Sequence, residues 1–243
     1  NRLKSGQQSS MNLRIPSYRT MDKLEGHLGR KLMIDSPTLV KAFYDTAFCK
    51  KYGYSVETLP ALFVPNTYDM FWNVSLENFM KRMTKEHQAF WNKERTAKAD
   101  SLKLSKTEVA TLASIIDEET ANNGEKPMIA GMYLNRLRIN MPLQADPTIK
   151  FAMKEFKIRR IYNNMLKTES PYNTYINTGL PPGPIKIASI AGIDAVLNYV
   201  DHKYLYMCAK EDFSGTHNFA ATYREHLNNA IRYRKALNKR NIK

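Results

Sequence analysis

The stretch SKTEVATLASIIDEETA, residues 105–121, predicts a helix with a defined start and one apolar face. Ser105 is followed three residues later by Glu108, which is the pattern of a capping box, where each side chain satisfies a backbone donor at the helix start. At about 100° per residue the apolar side chains cluster on one side of the helix, and these are Val109, Leu112, Ala113, Ile115 and Ile116.

Three consecutive acids follow this apolar run, and they point in different directions. Glu119 falls about 50° from the centre of the apolar face, whereas Asp117 and Glu118 fall about 110° and 150° away. We therefore expect Asp117 and Glu118 to be solvated and Glu119 to point inward. An apolar setting disfavours the charged form of a carboxyl group and raises its pKa, which is the state that a general acid needs near neutral pH.

A structural role for Glu119 is the competing interpretation. In that case the residue lies at the wetter edge of an amphipathic helix, paired with an arginine. The helix by itself favours this interpretation, because structural ion pairs also perturb carboxylates.

The composition indicates a folded and strongly basic protein. Of its 243 residues 43% are hydrophobic, which argues against disorder, and the net charge is +14. Such a charge predicts an acidic partner, namely nucleic acid, an anionic membrane surface or an anionic polymer. Alternatively, the excess of lysine and arginine serves only to keep the surface solvated.

Several chemistries lack their sequence signatures. The two cysteines, Cys49 and Cys208, are far apart and predict no disulfide framework. The chain has no HExxH, GxxxxGK, GxGxxG or GxSxG pattern, so zinc, nucleotide cofactors and serine hydrolysis are not supported. Its basic residues are not interleaved with aromatic residues as in a nucleic-acid platform. We expect no metal, no cofactor and no nucleic-acid partner.

The order of the predicted elements indicates an α+β fold, mostly helical, with a small and largely antiparallel sheet. A strand is predicted at residues 11–16, helices at about 37–50 and 75–99, a strand at 204–209, a turn at 211–220 and a basic helix from about residue 221.

The segment SPYNTYINTGLPPGPI, residues 170–185, is rich in Tyr, Asn, Thr, Gly and Pro without periodicity. Prolines make such a loop rigid, and its aromatic faces and amides suit sugars, which are apolar on one face and hydroxylated at the edge. Together with the inward carboxyl of Glu119, the segment points to acid-catalysed cleavage of a glycosidic bond.

Four motifs occur in one order: ASIIDEETA, AGMYLNRLRINMPLQADPTI, SPYNTYINTGLPPGPI and finally YLYMCA with GTHNFA. In this respect the chain resembles the YceG-like endolytic murein transglycosylases (the MltG type) over nearly its whole length. The resemblance implies a lyase that cleaves peptidoglycan between MurNAc and GlcNAc. Its implied role is in cell wall biogenesis, where it terminates glycan strands. The products carry 1,6-anhydro-MurNAc ends, because no water is added.

The resemblance also assigns the catalytic acid. In the family this is the second acid of a Glu-Lys-Glu-Thr-like stretch, which is Glu119 here, and Asp117 and Glu118 stand where Glu and Lys are commoner. The candidates for the substrate groove are Asn135, Arg136, Gln144, Asp146, Tyr172, Asn173, Thr174, Tyr175 and His217.

Each groove candidate has a structural alternative. Asparagines form turns, tyrosines fill cores, and a lone histidine such as His217 is often a surface hydrogen-bonder. Arg136 could hold Glu119 or Asp146, or bind a substrate carboxylate. Asp146 could cap a helix or be the second carboxylate that a hydrolytic, inverting enzyme needs.

The resemblance further implies a longer, membrane-anchored protein. We expect residues 1–10 to be the remnant of a LysM-like module or linker, and residues 11–243 to be the catalytic domain. An N-terminal helix outside this chain would anchor the protein once in the inner or plasma membrane, with the catalytic domain on the periplasmic or extracytoplasmic side. Penicillin-binding proteins of the elongation machinery are the implied partners. A non-catalytic peptidoglycan-binding scaffold and a hydrolytic muramidase remain as alternatives.

Overall fold

A computed structural model describes residues 9–158 and 160–240 of the chain. The predicted remnant at residues 1–10 lies almost entirely outside the described residues. The helices and strands are, in chain order, β1 (Met11–Ile15), α1 (Met21–Lys31), α2 (Ser36–Phe43), α3 (Thr46–Lys51), β2 (Asn66–Met70), α4 (Leu76–Phe90), α5 (Lys93–Ser101), α6 (Lys106–Glu119), α7 (Lys126–Arg138), α8 (Asp146–Ala152), α9 (Ile190–Leu197), β3 (Tyr206–Ala209), β4 (His217–Ala220) and α10 (Tyr223–Lys239).

This inventory confirms the α+β prediction. The strands form two separate two-stranded antiparallel sheets, β1 with β2 and β3 with β4, and helices make up most of the remaining regular structure. In the described part of the chain no helix is both long enough and apolar enough to cross a membrane.

The described residues divide into two compact units. One comprises the described residues up to Ser114 together with 182–190, and the other comprises those from Ile115 to Pro181 and from Ala191 onward. The division therefore falls within α6, between Ser114 and Ile115. Whether residues 11–243 act as a single domain stays a prediction.

In the first unit the antiparallel pair β1–β2 places Leu13 opposite Tyr68. Leu13 and Ile15 are both 1% exposed, whereas the residue between them, Arg14, is exposed, so the period-2 pattern of the sequence is confirmed.

Two predicted helices of this unit are each interrupted by a capping residue. The helix predicted at residues 37–50 is α2 followed by α3, and the side chain of Asp45 accepts hydrogen bonds from the first amides of α3. Likewise the helix predicted at residues 75–99 is α4 followed by α5, where Asn92 accepts from the amide of Arg95. Both predictions of one continuous helix were wrong, because a side-chain cap offers the backbone a new start that apolar periodicity does not reveal.

The helix α6 has the predicted start and the predicted apolar face. Ser105 Oγ accepts from the amide of Glu108 at 3.2 Å, and the Glu108 carboxylate accepts from the amide of Ser105 at 2.8 Å. Each of the five apolar residues predicted to face inward, Val109, Leu112, Ala113, Ile115 and Ile116, is 0% exposed.

In the second unit α7 lies against the chain that leads into β3. A Cβ atom at Gly131 would come within 2.3 Å of the carbonyl oxygen of Val200 and 2.8 Å of His202 Nε2. The same region is held by a hydrogen bond from the amide of Val200 to the carbonyl of Pro127. Glycine is therefore required at position 131 by the close approach of two backbones.

The strand β4 corrects the predicted turn at residues 211–220. Its residues pair with β3, with Ala209 opposite His217 and Tyr206 opposite Ala220. Four residues are too few for a clear alternating pattern, so the strand is defined by its partner. After it, α10 begins with a capping box between Thr222 and Glu225.

The close packing at Gly131 generates a stability prediction. We expect Gly131→Ala to lower the free energy of unfolding by about 2 kcal/mol or more, since the added methyl group meets backbone rather than a movable side chain. Urea denaturation followed by circular dichroism measures this change. Gly124→Ala in the same unit, where the nearest atom is the Asn122 side chain at 3.3 Å, is the control and should change stability by about 0.5 kcal/mol or less. Equal stability of the Gly131→Ala variant and the parent would contradict the packing argument.

Candidate active site

Glu119 is the last residue of α6, and its carboxyl is held by a buried tyrosine. The hydroxyl of Tyr133, on α7, donates to Glu119 Oε1 at 2.7 Å. Burial raises the pKa of Tyr133 well above its ordinary value, so the phenol keeps its proton and remains a donor. The inward orientation predicted for Glu119 therefore corresponds to a specific contact.

Burial raises the pKa of Glu119 from its ordinary range to about 7. The hydrogen bond from Tyr133 opposes this shift because it favours the carboxylate, and the positive charges of Lys150 and Arg136 act in the same sense. The negative charge of Asp146 acts in the opposite sense and raises the pKa further. Since burial is the largest effect, the group is poised to gain or lose a proton near neutral pH.

The second unit has a cavity of about 340 Å³ next to this carboxyl. Its wall combines aromatic rings, apolar side chains and polar groups. The lining residues are Glu119, Met132, Tyr133, Arg136, Leu143, Gln144, Asp146, Tyr175, Tyr206, Met207, Cys208, Ala209, His217, Tyr223 and His226.

Six of the ten residues singled out in the sequence meet at this cavity: Glu119, Arg136, Gln144, Asp146, Tyr175 and His217. Two of them touch, since the hydroxyl of Tyr175 donates to Asp146 Oδ1 at 2.5 Å. Asp146 is the first residue of α8 but is not its N-cap, a position that Ala145 occupies without a side-chain hydrogen bond. The capping role considered for Asp146 is therefore wrong.

Gln144 is exposed at the cavity and has an unusual backbone. Its φ angle is 49°, in the left-handed region that non-glycine residues seldom adopt. Its amide donates to the carbonyl of Thr174 at 3.0 Å, which holds it in this conformation.

His217 is oriented by a buried glutamate that the sequence analysis did not single out. The carboxylate of Glu125, a residue 8% exposed, accepts from the amide of His217 at 2.6 Å and contacts its Nδ1 at 3.0 Å. A carboxylate partner selects the tautomer with the proton on Nδ1, so Nε2 of neutral His217 is left as a hydrogen-bond acceptor.

Arg136 lines the cavity, but much of its guanidinium is committed to the protein backbone. Nε donates to the carbonyl of Leu205 at 2.6 Å, and Nη1 donates to the carbonyls of Leu143 and Pro142. Its side chain also lies over the ring of Tyr206. The structure therefore gives Arg136 a positioning role that the sequence did not reveal.

Asn173 and Thr174 do not line the cavity, so the geometry does not support their predicted substrate contacts. They are 0% and 1% exposed. Thr174 Oγ1 accepts from the amide of Ala145, and Asn173 donates to two carbonyls of its own loop while accepting from the amide of Tyr175. Buried polar groups require such partners, so these two side chains position Tyr175 and the chain that carries Asp146.

Asn135 and Tyr172 also do not line the cavity. The amide group of Asn135 donates to the carbonyls of His202 and Tyr204, and Tyr172 packs on Phe151 with ring centroids 4.7 Å apart. Their predicted substrate contacts are therefore not supported by the geometry, and both side chains serve the packing of the second unit.

The side chain of Asp117 is buried, which corrects the prediction that it is solvated. Its side chain is 3% exposed and forms an ion pair with Lys126, whose Nζ lies 2.7 Å from Oδ1. The lysine is nine positions further along the chain, beyond the turn that follows α6, so the helical wheel of α6 contains no sign of it.

Among the residues that the sequence analysis did not assign to the site, Tyr133, Tyr206 and His226 are the most informative. Tyr133 is 1% exposed, and its partner Glu119 lies 14 positions away along the chain. Tyr206 and His226 stack with ring centroids 5.4 Å apart and form an aromatic wall. No group of three or more His, Cys, Asp or Glu side chains within residues 9–158 and 160–240 is arranged to hold a metal ion.

Comparison with known proteins identifies the family of the chain. The model of the YceG-like family matches residues 1–232. The chain belongs to the YceG-like family. An endolytic murein transglycosylase of Bacillus subtilis is 36% identical over 194 residues, which are 77% of this chain and 52% of that protein. A protein of the same name from Streptococcus pneumoniae is 27% identical over 225 residues, covering 81% of this chain and 40% of that protein.

The crystal structure of a yceG-like protein from Listeria monocytogenes has the same fold. It superposes with a TM-score of 0.74 at 29% sequence identity, covering 93% of this chain and 77% of that one. The chain spans about half the length, or less, of the two curated relatives named above.

The contact between Tyr133 and Glu119 predicts a change in proton affinity. Tyr133→Phe removes a hydrogen bond that favours the carboxylate, so we expect the pKa of Glu119 to rise above its value of about 7. Carbon-13 NMR titration of the glutamate carboxyl carbons measures this shift. Tyr162→Phe is the control, because Tyr162 is 55% exposed and does not line the cavity, and it should leave the titration unchanged. A lower or unaltered pKa in Tyr133→Phe would refute the assigned contact.

Proposed function

We propose that this chain is a peptidoglycan lytic transglycosylase that cleaves the MurNAc–GlcNAc bond endolytically and leaves 1,6-anhydro-MurNAc ends, with Glu119 as general acid and then general base. The observation that carries the proposal is a carboxyl group with its pKa raised to about 7 at a cavity lined by aromatic and polar side chains. Support also comes from membership in the YceG-like family and from relatives named endolytic murein transglycosylase.

The cavity offers the contacts that a sugar ring needs. The rings of Tyr206 and Tyr175 present flat apolar surfaces, while Gln144 and His217 present polar groups at the cavity edge. Sugars combine an apolar face with a hydroxylated edge, so this mixture suits a glycan better than a purely apolar ligand. No cofactor is required by the chemistry proposed below.

In the first step Glu119 donates its proton to the glycosidic oxygen. Since Oε1 already accepts from Tyr133, we assign the transferred proton to Oε2. The bond between C1 of MurNAc and the bridging oxygen breaks, and the GlcNAc part leaves with a new hydroxyl group. Positive charge develops at C1 in an oxocarbenium-like transition state.

In the second step the C6 hydroxyl of the same MurNAc attacks C1. Its proton passes to the Glu119 carboxylate, which restores the acid, and a 1,6-anhydro ring closes without addition of water. The carboxylate that exists between the two steps is stabilised by the hydrogen bond from Tyr133 and by the positive charge of Arg136. A pKa near 7 suits one group that must serve as both acid and base.

A second candidate mechanism, hydrolysis, is supported by the negative charge of Asp146. Asp146 lines the cavity and raises the pKa of Glu119, as the second carboxylate of a glycoside hydrolase would. In that mechanism Asp146 activates a water molecule and the chain is a muramidase. We favour the lytic mechanism because Asp146 already accepts a hydrogen bond from Tyr175, and because of the names of the relatives.

We also propose a cellular setting, which rests on the resemblance to the family. In this proposal the protein is anchored once in the cell membrane through an N-terminal helix outside this chain. Its catalytic part faces the periplasm or extracytoplasmic space and acts in cell wall biogenesis beside penicillin-binding proteins of the elongation machinery. The net charge of +14 suits the anionic wall and membrane surface.

The raised pKa of Glu119 predicts a pH dependence of cleavage. Only the protonated carboxyl can donate in the first step, so we expect activity to be high below pH 7 and to fall as the pH rises through about 7. Initial rates of glycan release from purified peptidoglycan, measured from mildly acidic to alkaline pH, provide the check. Tyr133→Phe should move the alkaline limb to higher pH. Activity that increases through pH 7 would exclude Glu119 as the acid.

Product analysis separates the proposed functions. We expect digestion of purified peptidoglycan to yield anhydro-ended fragments by mass spectrometry, and Glu119→Gln to lower their rate at least about a hundredfold. Glu118→Gln, which neutralises the adjacent acid, is the matched control and should retain activity.

Two other outcomes would contradict the lytic mechanism. Products that each carry one added water would make the chain a hydrolase and would implicate Asp146. Peptidoglycan binding without cleavage by the unmutated chain would instead favour a non-catalytic scaffold, in which Glu119 is only a hydrogen-bond partner.

A further inference from the structure

The C-terminal helix α10 has an outward face of exposed apolar side chains, of which only Tyr223 also lines the cavity. Tyr223, Leu227 and Ile231 are 59%, 39% and 42% exposed, which is unusual for three large apolar residues on one helix. At about 100° per residue these side chains fall within an arc of about 80°. We call them the apolar ridge.

Cationic side chains surround the apolar ridge. Arg234 projects between Tyr223 and Leu227 on the helical wheel, whereas Arg224 and Lys235 project just beyond Ile231. All three are exposed. The only acid of α10, Glu225, lies on the opposite half of the wheel, and its carboxylate accepts from the amides of Ala221 and Thr222.

We propose that this face of α10 docks on a bilayer that contains anionic phospholipid. Cations that flank exposed apolar side chains on one helix are the pattern of helices that lie in the membrane interface. The aromatic ring of Tyr223 and the branched side chains enter the boundary between headgroups and acyl chains. Arg224, Arg234 and Lys235 stay at the level of the lipid phosphates, because long cationic side chains extend toward the charged surface.

Other occupants fit the same face less well. A second copy of this chain would bring two cationic faces together, which is unfavourable. A soluble anionic polymer would neutralise the arginines and the lysine but would leave Leu227 and Ile231 in water. An anionic bilayer matches both the charge and the apolar surface.

Docking by α10 also has a consequence for the site. The same helix contributes Tyr223 and His226 to the lining of the 340 Å³ cavity. A docked α10 therefore keeps that cavity next to the bilayer surface. Membrane docking does not depend on the catalytic proposal, so Glu119→Gln should bind vesicles as the parent does.

Vesicle sedimentation tests the docking face. We expect the parent chain to sediment with vesicles of phosphatidylcholine mixed with phosphatidylglycerol, and to bind vesicles of phosphatidylcholine alone far more weakly. The double variant Leu227→Ser and Ile231→Ser should lose at least about tenfold in affinity for the mixed vesicles. Its control is Met33→Ser with Val40→Ser, which removes two apolar side chains, 68% and 42% exposed, from elsewhere and should bind as the parent does.

A charge-reversed pair separates local docking from general attraction. Arg234→Glu with Lys235→Glu should weaken binding at least about tenfold. The control, Lys41→Glu with Lys85→Glu, lowers the net charge equally at exposed positions of α2 and α4 and should have a smaller effect. In a further measurement, Leu227→Trp should gain fluorescence quenching from lipids brominated on their acyl chains, relative to the parent.

The proposal is overturned by any of three results. The ridge variant could bind the mixed vesicles as tightly as the parent. The two charge-reversed pairs could weaken binding equally, which would indicate unspecific attraction. The chain could bind a soluble polyphosphate while failing to bind vesicles, which would make an anionic polymer the partner.

Discussion

The buried guanidinium of Arg136 binds carbonyl oxygens from two separate stretches of chain, and the cavity walls depend on these bonds. Leu205 lies just before β3, and Pro142 and Leu143 lead to Gln144 and Asp146. A charge that is 7% exposed is tolerated only when its donors are satisfied, and each such bond contributes more than a neutral one. One side chain of α7 thus sets the positions of both walls relative to Glu119, and its positive charge moderates the pKa of that carboxyl.

Much of the fold was predictable because short-range patterns specify short-range structure. The capping box at Ser105 and the apolar face of α6 follow from spacing alone, and both are confirmed. Helix interruptions at Asp45 and Asn92 were missed because the apolar period continues across them. The strand β4 was missed because four residues become a strand only through pairing with β3, a contact made through space.

The inward orientation of Glu119 was predictable, whereas the arrangement of the side chains around it was less so. Helix geometry placed Glu119 inward, but composition cannot divide the loop at residues 170–178 into wall and support. Tyr175 faces the cavity while Asn173 and Thr174 are buried, and only their long-range hydrogen bonds distinguish them. Asp117 was likewise predicted to be solvated, because its ion pair with Lys126 is a contact through space that the helical wheel does not reveal.

The geometry of the Glu119 carboxyl has a consequence for inhibitor chemistry. Because Oε1 already accepts from the Tyr133 hydroxyl, we assign the interaction with a ligand to Oε2. Below pH 7 that oxygen bears a proton and prefers a neutral acceptor such as a lactam carbonyl, whereas above pH 7 it bears charge and prefers an ammonium, as in an iminosugar. Ligands of the two kinds should therefore show opposite pH trends in affinity at this single atom.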